Sequence, residues 1–234
     1  MLAIYQALLY QPILNLSVGL YDVLFHDFGL AIVALVVLVR GALWPLTHRS
    51  LQNQKAMMEL QPKIKATQEK FKDDKEAQAK AMMALYSENK VSPFSSCLPL
   101  LIQLPLFIAL YRVLSAGLKS EHLNLLYGFV PNPGTISTMA FGFLDLSKAS
   151  IAVAVLAAGA QFLQARMMMR KEPAVHAEGS KDEDTMAMMN KQMMYMMPAM
   201  TLFIGWKLPA GLTLYWLLTN LAMVAQQKIA FKKK

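Results

Sequence analysis

The stretch VVLVRGALWPL, residues 36–46, sets one cation, Arg40, inside an apolar run that extends from Phe28 to Leu46. A run of that length reads as a span, because a helix needs about 20 apolar residues to cross a hydrocarbon core of about 30 Å. Reading outward along the 234 residues gives four more blocks of the same kind. Composition agrees: 56% of residues are hydrophobic and 16% charged, against about 45–50% and about 25% in soluble domains. The expected fold class is an all-α polytopic membrane protein. Its five transmembrane helices are placed at about 28–47, 92–118, 149–166, 192–206 and 208–228. The third and fourth are short at about 1.5 Å per residue, and short spans thin the bilayer or hide in a bundle.

Basic residues orient the chain, since loops on the inner side carry an excess of Lys and Arg. Arg49, Lys55, Lys63, Lys65, Lys70, Lys72, Lys75, Lys80 and Lys90 follow the first span. Arg166, Arg170, Lys171, Lys181 and Lys191 separate the third from the fourth, and Lys232, Lys233 and Lys234 end the chain. The other side holds Lys119, Lys148 and Lys207. The expectation is a multi-pass protein of a bacterial plasma (inner) membrane, N-terminus outside and C-terminus cytoplasmic. Residues 1–25 lack the basic start and cleavage site of a signal peptide. No Ser- and Arg-rich transit peptide is expected, and the single cysteine, Cys97, excludes an intramolecular disulfide.

The connecting segments carry their own signals. Residues 1–25, interrupted by Pro12, are expected to form an N-terminal interfacial amphipathic helix rather than a sixth span. Residues 26–234 are then the five-helix core. Residues 48–90 read as a cytoplasmic helical hairpin that turns at Lys72-Asp73-Asp74-Lys75. Asp73 is its expected cap, with Glu76 three residues on as the capping-box partner. Pro62 is expected to bend the first arm, and the thin apolar stripe to leave the hairpin weakly docked. Ser92-Pro93 opens the second span, which Pro99 and Pro105 should bend. The cytoplasmic loop 167–191 contains Gly179–Asp184, expected to be solvated and irregular. Methionine crowds residues 186–200. That run reads equally as flexible packing and as an adaptable apolar surface.

Arg40 needs an explanation, because arginine at a helix centre costs about 2.5–3.5 kcal/mol on insertion scales. On a straight span centred near residue 37 it lies about 4–5 Å inward of the middle. The headgroups are then some 10 Å away, given a half-thickness of about 15 Å, which is a long reach for snorkelling. No Asp or Glu lies in any of the five spans, so an intramembrane ion pair is missing. A wet pocket remains. Polar groups available to line it are Gln103, Gln161, Gln164, Thr213, Tyr215, Trp216, Thr219 and Asn220. Each taken alone is more often a helix–helix contact. Arg112 is close to the outer end of the second span, within reach of the interface, and reads as structural.

Catalytic and metal-binding patterns are absent: no Gly-rich phosphate loop, no HExxH, no GxSxG and no cysteine–histidine spacing. His26, His48, His122 and His176 are scattered. No enzyme activity and no cofactor are expected. Three function classes fit: an insertase, a channel or transporter subunit with an anion site at Arg40, and a passive scaffold. The internal repeat that many transporters carry is not seen.

LVRGALWPLTHRSLQNQKAMMELQPKI (residues 38–64), KDDKEAQAKAMMALYSENKVSPFSSCLPLLIQLPLFIALYRVL (72–114) and LPAGLTLYWLLTNL (208–221) resemble the YidC/Oxa1/Alb3 membrane protein insertases. The similarity runs in order from about Tyr10 to Lys228. It is to the short bacterial form without the large periplasmic domain, here with neither a lipid-anchored cysteine nor a long ribosome-binding tail. The resemblance implies a five-helix bundle around a hydrophilic groove, open to cytoplasm and lipid and closed outside. The groove arginine of the family falls on Arg40. Gln103, Gln161, Gln164, Thr219 and Asn220 join it as candidate groove residues. The family's client-helix sliding face falls on Phe107, Tyr215 and Trp216. Val36 stands where members often carry a small polar residue. The implied partners are nascent or newly made membrane proteins, membrane lipids, the ribosome and the Sec translocon, with no specific nucleic acid. The hairpin at 48–90 matches the loop thought to receive clients.

Overall fold

A proline has no amide hydrogen and clashes with the carbonyl four residues before it, so it belongs in a helix's first turn or it breaks the helix. Pro45 does both. In the computed structural model, which describes residues 2–92, 98–114, 120–169 and 181–231, helix α3 (Phe28–Ala42) stops just before it and α4 (Trp44–Lys70) starts with it in the first turn. The two axes meet at 67°. This corrects the straight span expected over 28–47. Its apolar helix ends at Ala42, and Arg40 lies in its last turn, nearer an end than a straight helix would put it. The sharp bend falls at Leu43, while α4 runs on through Pro62 as one helix.

Before α3 the chain is helical from Leu2 to Val23: α1 (Leu2–Tyr5), a π-helical turn (Gln6–Tyr10) and α2 (Gln11–Val23). Pro12 falls at the start of α2, where its missing donor is harmless. Leu14 and Val18 are fully buried against the core that includes Phe28, Ile32 and Leu35 of α3. Ile4, Leu8, Leu16 and Val23 are exposed. The segment is thus apolar on its outward side as well.

The hairpin consists of α4 and α5 (Lys75–Glu88). Its cap is Asp74, not Asp73: the Asp74 carboxylate accepts from the amides of Glu76 and Ala77 at 3.1 and 2.9 Å. Asp74 immediately precedes the first helical residue and has extended backbone, which is what a cap requires. Helix α5 buries no side chain. A small cluster of Leu60, Ile64 and Val91 holds the arms together, and burial raises the Tyr86 hydroxyl above its ordinary pKa beside it.

Helix α6 (Leu98–Arg112) is followed, after undescribed residues, by a 3₁₀ turn (Ser120–Leu125) and a two-stranded hairpin of β1 (Met139–Ala140) and β2 (Leu144–Asp145). Met139 pairs with Asp145 and Ala140 with Leu144, antiparallel. Polar side chains of the N-terminal helix and its corner fasten this connection. Asn15 Oδ1 accepts from the Tyr127 amide at 2.6 Å, and the Tyr21 hydroxyl accepts from the Ser137 amide at 3.0 Å. Asp27 caps α3 through Oδ1 and accepts from the Phe141 amide through Oδ2 at 2.6 Å. Gly29 makes the close approach possible, since a Cβ there would lie 2.5 Å from Ala140 Cβ and 2.8 Å from the Phe141 ring. Near the end of the hairpin, hydrogen bonds from the Ser147 hydroxyl, Lys148 and the Ser147 amide hold the Asp145 carboxyl well below the usual carboxylate range.

Helices α7 (Ile151–Met169), α8 (Lys181–Gly205) and α9 (Ala210–Ala230) pack as a group. Ala154, Ala157 and Ala160 of α7 are buried and let the backbones approach closely. The ends are stitched where the Ala210 amide donates to Lys148 O at 2.8 Å and the Gly211 amide to Leu146 O at 3.0 Å. The irregular segment expected at 179–184 is helical from Lys181. Residues 170–180 of the loop at 167–191, like Pro93, lie outside the described residues.

Among the described residues, Ile151–Met168 is the one stretch that is by itself long and apolar enough to cross a membrane. The bent pair α3 and α4 passes that test together, and Met194–Gly205 is a shorter apolar stretch. The protein is mostly helical, in keeping with an all-α membrane protein. Helix α9 misses the mark because its buried side carries Thr213, Thr219, Asn220, Gln226 and Gln227. A helix with polar groups turned inward marks the interior as the place where its chemistry lies.

Candidate functional site: the polar cluster around Arg40

Three helices converge on Arg40. It projects from the last turn of α3, where the helix's negative end favours a cation by about 0.3–1 kcal/mol. From α6, Gln103 Oε1 accepts from Arg40 Nη2 at 3.4 Å. From α9, the Thr219 carbonyl accepts from the same nitrogen, also at 3.4 Å. Charge-assisted bonds are usually about 2.7–2.9 Å, so the guanidinium is loosely held. Its other nitrogens make no hydrogen bond, and no carboxylate touches it, among the described residues. Arg40 is thus a half-buried cation whose hydrogen-bond partners among the described residues are neutral and leave it spare donors.

Gln103 links the cluster. Its Nε2 donates to the Tyr215 hydroxyl at 2.7 Å. The Thr219 hydroxyl lies beside Tyr215 without a hydrogen bond of good geometry, and Asn220 Nδ2 has no partner among the described residues. Both residues are buried. An unmet buried polar atom carries a desolvation penalty of about 1–3 kcal/mol, which an ordered water would relieve.

The remaining candidates are placed differently. Gln161 of α7 accepts through Oε1 from the Thr201 hydroxyl of α8, a bond between neighbouring helices. Gln164, three residues further along α7, is half-buried. Neither is hydrogen-bonded to the Arg40 cluster among the described residues. Phe107 and Trp216 meet edge to face, with ring centroids 5.8 Å apart. Tyr215 departs from them: it is buried and turned to Gln103. Successive positions on a helix lie about 100° apart, so Tyr215 and Trp216 serve different surfaces.

Residues 226 and 227 form a second polar group that sequence reasoning passed over. Gln226 Nε2 donates to the Thr47 hydroxyl at 2.7 Å and to Trp44 O at 3.3 Å. Thr47 in turn donates to Leu43 O at 2.9 Å. The α3–α4 corner is thereby tied to α9. Gln227 is fully buried, and both its side-chain polar atoms lack a partner among the described residues. The available signal was two consecutive glutamines near the end of a largely apolar helix.

A three-helix polar interior in a mostly helical chain narrows the field, and comparison with known proteins decides it. The family model of the 60Kd inner membrane protein matches residues 20–234. The chain belongs to that family. Similar proteins include the membrane protein insertase YidC of Pelobacter propionicus, 33% identical over 202 residues, which are 86% of this chain and 34% of that protein. The protein of the same name from Geotalea daltonii is 31% identical over 219 residues, 93% of this chain and 36% of the relative. That of Streptomyces avermitilis is 32% identical over 86% of this chain and 50% of its own length. The chain therefore spans a third to a half of these relatives of the 60Kd inner membrane protein family. The matched region contains all of α3, α6 and α9, the helices that bring Arg40, Gln103, Tyr215 and Thr219 together.

Proposed function

We propose that the chain is a membrane protein insertase. It carries short polar tails of client proteins across a bacterial inner membrane and releases their apolar helices into lipid. The observation that carries this reading is Arg40: a cation without a carboxylate partner among the described residues, bounded by Gln103, Thr219 and Tyr215, in a chain of the 60Kd inner membrane protein family. Such a cation is tolerated in a membrane helix where water reaches it.

The energetics follow from transfer scales. A client helix gains about 0.3–0.6 kcal/mol per Leu, Ile, Phe or Val on entering lipid, whereas each Asp in its tail costs about 2.5–3.5 kcal/mol at mid-depth. A hydrated groove shortens the apolar path. The spare guanidinium donors of Arg40 attract a passing carboxylate, and a membrane potential positive outside favours its outward movement by about 2.3 kcal/mol per charge at 100 mV. Phe107 and Trp216 offer an aromatic surface along which an apolar client segment moves toward lipid.

In this reading five spans alternate, with the hairpin of α4 and α5 and the loop before α8 on the cytoplasmic side, as their Lys and Arg content supports. The N-terminal helical segment rests at the outer interface. Clients are nascent or newly made membrane proteins, and the ribosome and the Sec translocon are candidate partners at the inner face. Liposomes holding the purified chain and one short single-span client with an acidic tail test the reading by protease protection. The tail is expected to become protected with the native chain, to stay accessible with Arg40→Ala, and to be protected again with Arg40→Lys. Equal protection in liposomes without the chain would refute it.

A further inference from the structure

Arg112, which reads as structural in the sequence, has company that the insertase cycle does not use. It ends α6, is exposed, and its guanidinium stands over the Tyr5 ring at 5.6 Å. It makes no ion pair or hydrogen bond among the described residues. Tyr10 ends the π-helical turn that packs against α6. Tyr10 is 5% exposed, and its hydroxyl and that of Tyr5 are buried with no hydrogen-bond partner among the described residues.

The backbone between the two tyrosines explains how they come together. In an α-helix of about 3.6 residues per turn, positions five apart point roughly 140° away from each other. Gln6–Tyr10 is instead a π-helical turn, closed by the Gln11 amide donating to Gln6 O. The wider i→i+5 turn brings residues 5 and 10 back toward one side, and such turns gather at functional sites. Two hydroxyls without a hydrogen-bond partner among the described residues are therefore brought toward one side by an uncommon backbone form, with the Arg112 cation over the first of their rings. The guanidinium can only donate, and each hydroxyl, which could also accept, has a proton to give, so an anion with several acceptor oxygens would satisfy all three.

We propose that Arg112, Tyr5 and Tyr10 bind the phosphate of a phospholipid headgroup. Guanidinium groups match phosphate oxygens in pairs, and each hydroxyl supplies one further donor. A lipid is favoured over free phosphate because exposed apolar side chains flank the site: Ile4 and Leu8 on the N-terminal helix and Ile108 on α6. These offer acyl chains a surface while the phosphate is held. The inference requires only that the chain lies in a membrane, not that it inserts clients.

Native mass spectrometry of the purified full chain tests the site by titration with phosphatidylglycerol, with diacylglycerol of the same acyl chains, and with inorganic phosphate. The expected result is retained phosphatidylglycerol, little diacylglycerol and no competition by millimolar inorganic phosphate. Affinity for phosphatidylglycerol should fall about tenfold in Arg112→Gln and about threefold in Tyr10→Phe, and stay within about twofold in Arg112→Lys. Unchanged affinity in both Arg112→Gln and Tyr10→Phe overturns the site. Equal retention of diacylglycerol, or displacement by inorganic phosphate, overturns the lipid-phosphate assignment. Tyr10→Phe preserves shape, so it decides the matter if Arg112→Gln fails to fold. Client protection in liposomes is a separate readout, and its loss leaves this inference standing.

Discussion

Gln103 donates its side-chain amide to the Tyr215 hydroxyl across 2.7 Å, and this fixes which way the other end of that amide faces. With Nε2 committed to Tyr215, Oε1 is turned to the Arg40 guanidinium. Gln103→Leu removes both interactions in nearly the same volume. A hydrogen bond to a charged group is worth about 1.5–3 kcal/mol. Client insertion in the liposome assay should therefore drop about tenfold, short of the loss expected from Arg40→Ala. Tyr215→Phe, which removes one neutral acceptor, should change it by less. Insertion by Gln103→Leu at the native rate would remove Gln103 from the site.

The corner between α3 and α4 depends on a contact 179 residues apart in sequence, from Gln226 to the Thr47 hydroxyl. Gln226→Leu should lower the unfolding free energy by about 1–2 kcal/mol, because the Thr47 hydroxyl and Trp44 carbonyl lose a buried donor. Faster amide exchange should appear at residues 44–50. A stability loss without any change in exchange there would mean that Gln226 acts by packing alone.

Gly29 is required by contact rather than by backbone conformation. Its missing Cβ leaves room for Ala140 and Phe141, which lean over the start of α3. Gly29→Ala should cost about 1–3 kcal/mol through overpacking. It should also weaken the Phe141 amide bond to Asp27, seen as faster exchange of that amide. Asp27→Asn keeps an acceptor and should disturb the same amide less. Native stability in Gly29→Ala would show that the hairpin can lift without penalty.

Two aspartates compete for the cap of α5, and Asp74 holds it. Asp74→Ala should destabilise the hairpin by about 1 kcal/mol and speed exchange at Glu76 and Ala77. Asp73→Ala should leave both amides unchanged. The reverse pattern would restore the earlier residue as the cap.

The apolar blocks were legible in the sequence because hydrophobic length is a local property. Helices α7 and α9 and the apolar part of α8 fall where those blocks place them. What misled was also local. Trp44-Pro45 sits inside an unbroken apolar run, and hydropathy carries no sign of the bend that the proline imposes. Asp73 and Asp74 are chemically alike, and only the backbone separates them. The polar contacts were hidden for another reason. Asn15, Tyr21 and Asp27 bind backbone amides more than 110 residues away, and a backbone amide has no residue type to recognise. Arg40 stood out because its cost in lipid is large wherever it goes. Its neighbours did not, because a glutamine or threonine in a membrane helix is commonplace. The pairing of Tyr215 with Gln103 rather than with Trp216 depends on a 100° step that adjacent letters do not display.

The central claim is that water reaches position 40 from one side of the membrane. Thiol labelling measures this directly, in the chain with Cys97 replaced by Ser and Arg40 by Cys, using a charged, membrane-impermeant maleimide. Position 88, in the hairpin, and position 155, on the exposed apolar face of α7, provide the wet and lipid references. Reagent on the cytoplasmic side should label position 40 at a rate nearer that of position 88, and reagent outside should leave it untouched. A rate as slow as that of position 155 from both sides would contradict the hydrated groove, and with it the insertion route through Arg40.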